Sequence, residues 1–82
     1  SRKNHTNALF HILGYLKDKL SPIATQHIIS VIHNYNKGLT PLTTPLTLLK
    51  HQLMQHGCDY IKDQRYLEPY PEIISPMVDT FK

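Results

Sequence analysis

The sequence predicts an all-α fold, a small bundle of three main helices followed by a short fourth helix and an irregular proline-rich tail. Three observations lead there. Leucine and isoleucine recur at helical spacing in three successive segments. Helix-starting and helix-stopping residues bound those segments: Ser21-Pro22, Gly38, Thr44-Pro45 and Gly57. A length of 82 residues suits one domain, taken here as residues 1–82.

The first helix is expected over roughly Lys3 to Leu20, where Leu9, Leu13, Leu16 and Leu20, with Ile12 beside them, make a core-facing stripe. A second stripe on the same helix holds Asn4, Ala8, His11 and Tyr15 and is polar and partly aromatic. Gly14 stands inside this pattern, where glycine costs about 1 kcal/mol relative to alanine. Close packing of another helix is the expected reason, with close approach of a ligand as the alternative.

Ser21-Pro22 ends that helix and starts the next, because a residue before proline is pushed out of helical geometry and Ser21 is a good N-cap. The second helix runs from Pro22 to about Lys37 and buries Ala24, Ile28, Val31, Ile32 and Tyr35, with Gly38 ending it in a left-handed cap. Pro41 and three threonines make the following stretch an extended connector, pinned to the core by Leu39 and Leu42. Thr44-Pro45 repeats the Ser-Pro start signal. A third helix then extends to about His56, with Leu46, Leu49 and Leu53 inward and Gly57 as its stop.

Asp59 is placed to cap a short fourth helix through about Tyr66, burying Ile61 and Tyr60. Pro69, Pro71 and Pro76 keep the tail irregular, and its Ile73, Ile74, Met77 and Val78 need a surface to rest on. Four short helices supply only a few kcal/mol of net stability, so self-association or a neighbouring domain is expected to complete the core. The opening Ser1-Arg2-Lys3-Asn4, without an initiator Met or an apolar leader, reads as the start of a piece cut from something longer.

Composition narrows the function classes. With 40% hydrophobic and 18% charged residues the chain is a globular domain and not a disordered tail. No apolar run reaches the length of a membrane span, and no membrane role is expected. Cys58 is the single cysteine, so an internal disulfide, an iron–sulfur cluster and a four-cysteine zinc site are excluded, and a reducing, cytoplasmic setting follows. The net charge of +3 is uneven: residues 1–37 hold Arg2, Lys3, Lys17, Lys19 and Lys37 against Asp18 alone. That half suits an anionic partner.

Six histidines invite a metal, but His5/His11 and His27/His33 are six apart, about 240° around a helix, and His51/His56 are five apart. Only a cross-helix set such as His11 with His51 remains, and surface or hydrogen-bonded histidines are the expected roles, with no cofactor. Cys58 lies between the stop Gly57 and the next helix, where a dipole lowers a thiol pKa, yet nothing fixes a base against it. Asp59 and Asp63 read as a cap and a solvated side chain, and the isolated glycines form no phosphate loop.

One polar, basic and aromatic constellation is left: Arg2, Lys3, His5, Asn7, His11 and Tyr15 on the first helix, Lys50 and His51 on the third, and Gln64, Arg65 and Tyr66 on the fourth. These residue types contact phosphates, stack on exposed bases and hydrogen-bond to base edges or 2′-hydroxyls.

The string also resembles a known family. His5-Thr6-Asn7 with Leu9, His11, Gly14 and Tyr15, then Tyr35, Gly38, Pro41-Leu42, Pro45, Lys50-His51 and Gln64-Arg65-Tyr66, is similar to the YbgA-type domain of unknown function, from about residue 2 to Pro71. The likeness is to its C-terminal part, since the family domain usually has further helices ahead of this start.

Such domains occur alone or fused behind TudS-like thiouracil desulfidases, which use an iron–sulfur cluster on thiolated uracil. The resemblance therefore implies an accessory domain that binds RNA, transfer RNA in particular, for a desulfidase in the same or another chain. It implies no catalytic residue here, because Cys58 alone cannot hold the cluster. On this reading Arg2, Lys3, Lys50 and Arg65 neutralise phosphates, Tyr15 and Tyr66 stack or donate a hydroxyl, and His5, Asn7, His11 and His51 hydrogen-bond.

Two other classes stand beside it. A protein-association scaffold would bury Lys50, His51 and Arg65 in hydrogen-bond networks. A small-molecule enzyme would enclose His11, Tyr15 and Lys50 in a deep cavity.

Overall fold

The computed structural model describes residues 1–56. The expected fourth helix, Gly57, Cys58, Asp59, Tyr60, Ile61, Asp63, Gln64, Arg65, Tyr66 and the proline-rich tail lie outside the described residues. Within them the architecture is three helices, α1 (Arg2–Leu16), α2 (Pro22–Asn36) and α3 (Thr43–His56), with a 3-10 turn at Lys17–Lys19. Each helix packs on both others.

The start of α1 is set by Ser1, whose side chain accepts from the Asn4 N–H at 3.3 Å. Its α-helical part stops at Leu16, four residues short of the expected Leu20. Lys17–Lys19 tighten into 3-10 geometry, and Leu20 is extended at φ −114°, ψ 151°. Pro22 accounts for this: the residue before it, Ser21, is held extended at φ −66°, ψ 157°. Ser21 then caps α2 as expected, accepting from the Ala24 N–H at 3.1 Å.

At the far end of α2, Gly38 takes φ +81°, the left-handed cap expected of it. The Gly38 N–H donates to the Tyr35 carbonyl and the Leu39 N–H to the Asn34 carbonyl, both at 2.9 Å, the bond pair of a Schellman motif. This cap corrects one expectation. Leu39 does not pin the connector but is 70% exposed, because its backbone is committed to Asn34 and the turn carries its side chain outward. Leu42 does pack against the core.

The third helix begins at Thr43, earlier than the Thr44-Pro45 signal suggested. The first four N–H groups of a helix lack an intrahelical partner, so a proline in that turn loses no bond. Pro45 sits there, fully buried.

The core joins Ala8, Leu9, Ile12, Leu13 and Leu16 of α1 with Ile28, Ile32 and Tyr35 of α2 and Leu49 and Leu53 of α3. Leu20, Ala24, Val31 and Leu46, expected to be buried, lie half-buried at its margin. Ala8, placed by spacing on a polar stripe, is 1% exposed. Thr6 is the buried polar residue among those described, and its hydroxyl is satisfied by donating to Asn36 Oδ1 at 3.1 Å.

Gly14 departs from expectation within the described residues. A Cβ built there would meet nothing within 4 Å among the described residues, so neither α2 nor α3 packs closely against the glycine. Replacing an exposed helical glycine by alanine gains about 1 kcal/mol. Gly14→Ala is therefore expected to raise the urea midpoint, and a fall in the midpoint would show a local constraint that this geometry lacks.

Candidate functional site

The chain reverses direction between α1 and α2, and four cross-helix contacts fix their register. The Arg2 guanidinium lies over Gly38, with Nη1 3.3 Å from where a Cβ would stand. His5 Nδ1 and the Tyr35 hydroxyl are 3.3 Å apart. Thr6 bonds Asn36. Phe10 and His33 meet edge to face, with ring centroids 5.4 Å apart at 61°. In this register the start of α1 and the end of α2 share one end of the bundle, the end that carries Arg2, Lys3 and Lys37.

The sequence-derived candidates separate into groups on this frame. Arg2 and Lys3 are exposed at the shared end. His5 is half-buried and ties α1 to α2 through Tyr35. Asn7 and His11 are exposed along α1. Tyr15 is half-buried, and the Lys19 ammonium lies 5.1 Å from its ring centroid, so the ring is already engaged in a cation–π contact. On α3, Lys50 is half-buried and His51 exposed. Gln64, Arg65 and Tyr66 fall outside the described residues.

The stripe read from spacing as Asn4, Ala8, His11 and Tyr15 is thus not one open face. Ala8 joins the core, Tyr15 lies at its margin, and the exposed row runs through Lys3, Asn7, His11 and Gly14. The structure also adds residues that spacing did not single out. Phe10, His33 and Asn36 are singled out only by the register that sets α1 against α2, whereas the i, i+4 step from His33 to Lys37 was a usable signal in the sequence.

Electrostatically the described residues are strongly one-sided. Arg2, Lys3, Lys17, Lys19, Lys37 and Lys50 stand against Asp18 as the sole acid among them. No acidic residue occupies the first turn of α1, α2 or α3. In α1 that turn carries Arg2 and Lys3 instead, at the positive end of the helix dipole, where a cation is disfavoured by about 0.3–1 kcal/mol. Among the described residues no three His, Cys, Asp or Glu side chains gather to hold a metal ion. No cavity encloses His11, Tyr15 and Lys50 there, and no described helix is long and apolar enough to cross a membrane.

These observations describe a small all-α domain whose described residues carry a cationic surface. Residues 1–71 match the family described as Protein of unknown function (DUF1722), and the chain belongs to it. It is 32% identical over 73 residues to the Uncharacterized protein YbgA of Escherichia coli (strain K12), a match covering 89% of this chain and 43% of that protein. The chain thus spans less than half the length of this curated relative. No solved structure matches it.

Proposed function

We propose that the chain is an accessory RNA-binding domain, with transfer RNA as its ligand, serving the desulfuration of thiolated uridine. Its working partner is a TudS-like desulfidase domain in the same or another cytoplasmic chain. One observation carries the RNA reading: six Lys and Arg against one acid in the described residues, two of the cations in a helix turn that disfavours them. A polyanion that neutralises Arg2, Lys3 and Lys37 offsets that local cost. The role of Lys50 is less direct, since it is half-buried. Exposed Ile23, Leu39 and Met54 are the apolar positions available to a protein partner.

A titration of the 82-residue chain with total transfer RNA at 50 and 200 mM salt tests the proposal. Three phosphate contacts make the affinity fall about 40-fold over that range. Arg2→Ala combined with Lys3→Ala is expected to lower the salt slope by about two while circular dichroism stays helical. A folded wild type that fails to bind at 50 mM salt would reject the RNA role, and a protein-association role would then be the better account.

A further inference from the structure

The unexplained glycine and the Phe10–His33 contact belong to one surface. Lys3, Asn7, Phe10 and Gly14 follow one another at i, i+4, i+7 and i+11, so they form a single stripe of α1. Phe10 touching His33 shows that this stripe borders α2. On α2, Lys37 lies one turn beyond His33, at the end that Lys3 occupies on α1. Of these residues only Phe10 is half-buried, and the others are exposed. The surface is thus cationic at one end, aromatic in the middle and bare of side chain at Gly14.

We infer that RNA lies along this α1–α2 face, with phosphates at Lys3 and Lys37, a base stacked at the Phe10–His33 pair and the strand passing close over the Gly14 backbone. The inference rests on the RNA reading above and assigns its site to residues outside α3. Three features favour it. A helical glycine with open space in place of a neighbour among the described residues is accounted for by a ligand that needs that space. In a T-shaped pair one ring presents its edge to the other, so its own faces are not used by that partner, and base–aromatic stacking tolerates any sequence. Lys3 to Gly14 spans about 16 Å along the axis, the length of four or five stacked nucleotides. A protein partner fits less well, since the exposed large hydrophobics Ile23, Leu39 and Met54 are not members of this stripe.

The test compares Gly14→Gln, His33→Ala and Lys37→Ala with Lys17→Ala, a cation of the 3-10 turn at the opposite end of the bundle, in the transfer-RNA titration at 50 mM salt. Gly14→Gln keeps the helix, fills the open space and is expected to weaken binding about tenfold. His33→Ala is expected to weaken it about fivefold or more, the scale of one lost stacking contact. Lys37→Ala should lower the salt slope by about one. If Gly14→Gln and His33→Ala bind as wild type, or if Lys17→Ala equals Lys37→Ala, the face is wrong while the RNA role survives. No binding by folded wild type overturns both, and the two failures are therefore distinguishable.

Discussion

Leu49→Ala is expected to destabilise the domain by about 2–5 kcal/mol, the range for removing a fully buried leucine side chain from a packed core. Leu49 has 0% exposure and belongs to the cluster in which all three helices meet. The whole domain has only about 4–12 kcal/mol to lose at the usual stability per residue. One substitution should therefore lower the urea midpoint by about 2 M or more, followed by far-ultraviolet circular dichroism. Ile23→Ala is the contrast: Ile23 is 84% exposed, and its truncation should stay within about 0.5 kcal/mol of wild type. Equal losses in the two variants would show that Leu49 is not in the core that holds the helices together.

The second large effect is at Gly38, where alanine is expected to cost about 1–2 kcal/mol because the backbone sits at φ +81°. Two causes are separable here. An added Cβ would stand 3.3 Å from Nη1 of Arg2, but that atom is the far end of a flexible side chain and moves aside cheaply. The backbone term should therefore dominate. Combining Gly38→Ala with Arg2→Ala is expected to recover less than about 0.5 kcal/mol in a double-mutant cycle, while Gly38→Asn should be milder than alanine because asparagine tolerates the left-handed region. Full recovery in the double variant would instead place the cost in the contact with Arg2.

These variants also bear on the candidate face. Gly38 ends α2 and turns the chain toward α3, so losing the cap disturbs the end that carries Arg2, Lys3 and Lys37. Stability and RNA affinity should fall together in Gly38→Ala. In Gly14→Ala they part, with stability rising, because Gly14 touches nothing in the described fold.

The local signals in the chain were sufficient to define α2 and to place α1 and α3, though not the end of α1 or the start of α3. Ser21-Pro22 starts α2 because proline constrains its predecessor and lacks an N–H, and Gly38 ends it because a left-handed residue is needed there; both effects act within a few residues. Leucine periodicity likewise identified the buried rows of α1 and α3. The family resemblance was carried by single residues such as Gly14, Gly38 and Pro45, and the match over residues 1–71 bears it out.

Which polar residues share a surface was settled by the packing of the helices. Helical spacing put Ala8 and Tyr15 in one stripe with His11, but packing drew Ala8 into the core and set Lys19 over Tyr15. It likewise assigned His5 to a tie with Tyr35 and brought Phe10 against His33, 23 positions away in the chain. Periodicity fixes an angle around one helix and carries no information about which neighbour lies at that angle. Register between helices comes from side chains fitting across an interface, here Thr6 with Asn36 and Phe10 with His33. The three described helices and the two ends of α2 were therefore determined by the sequence, and the residues that share a surface by their packing.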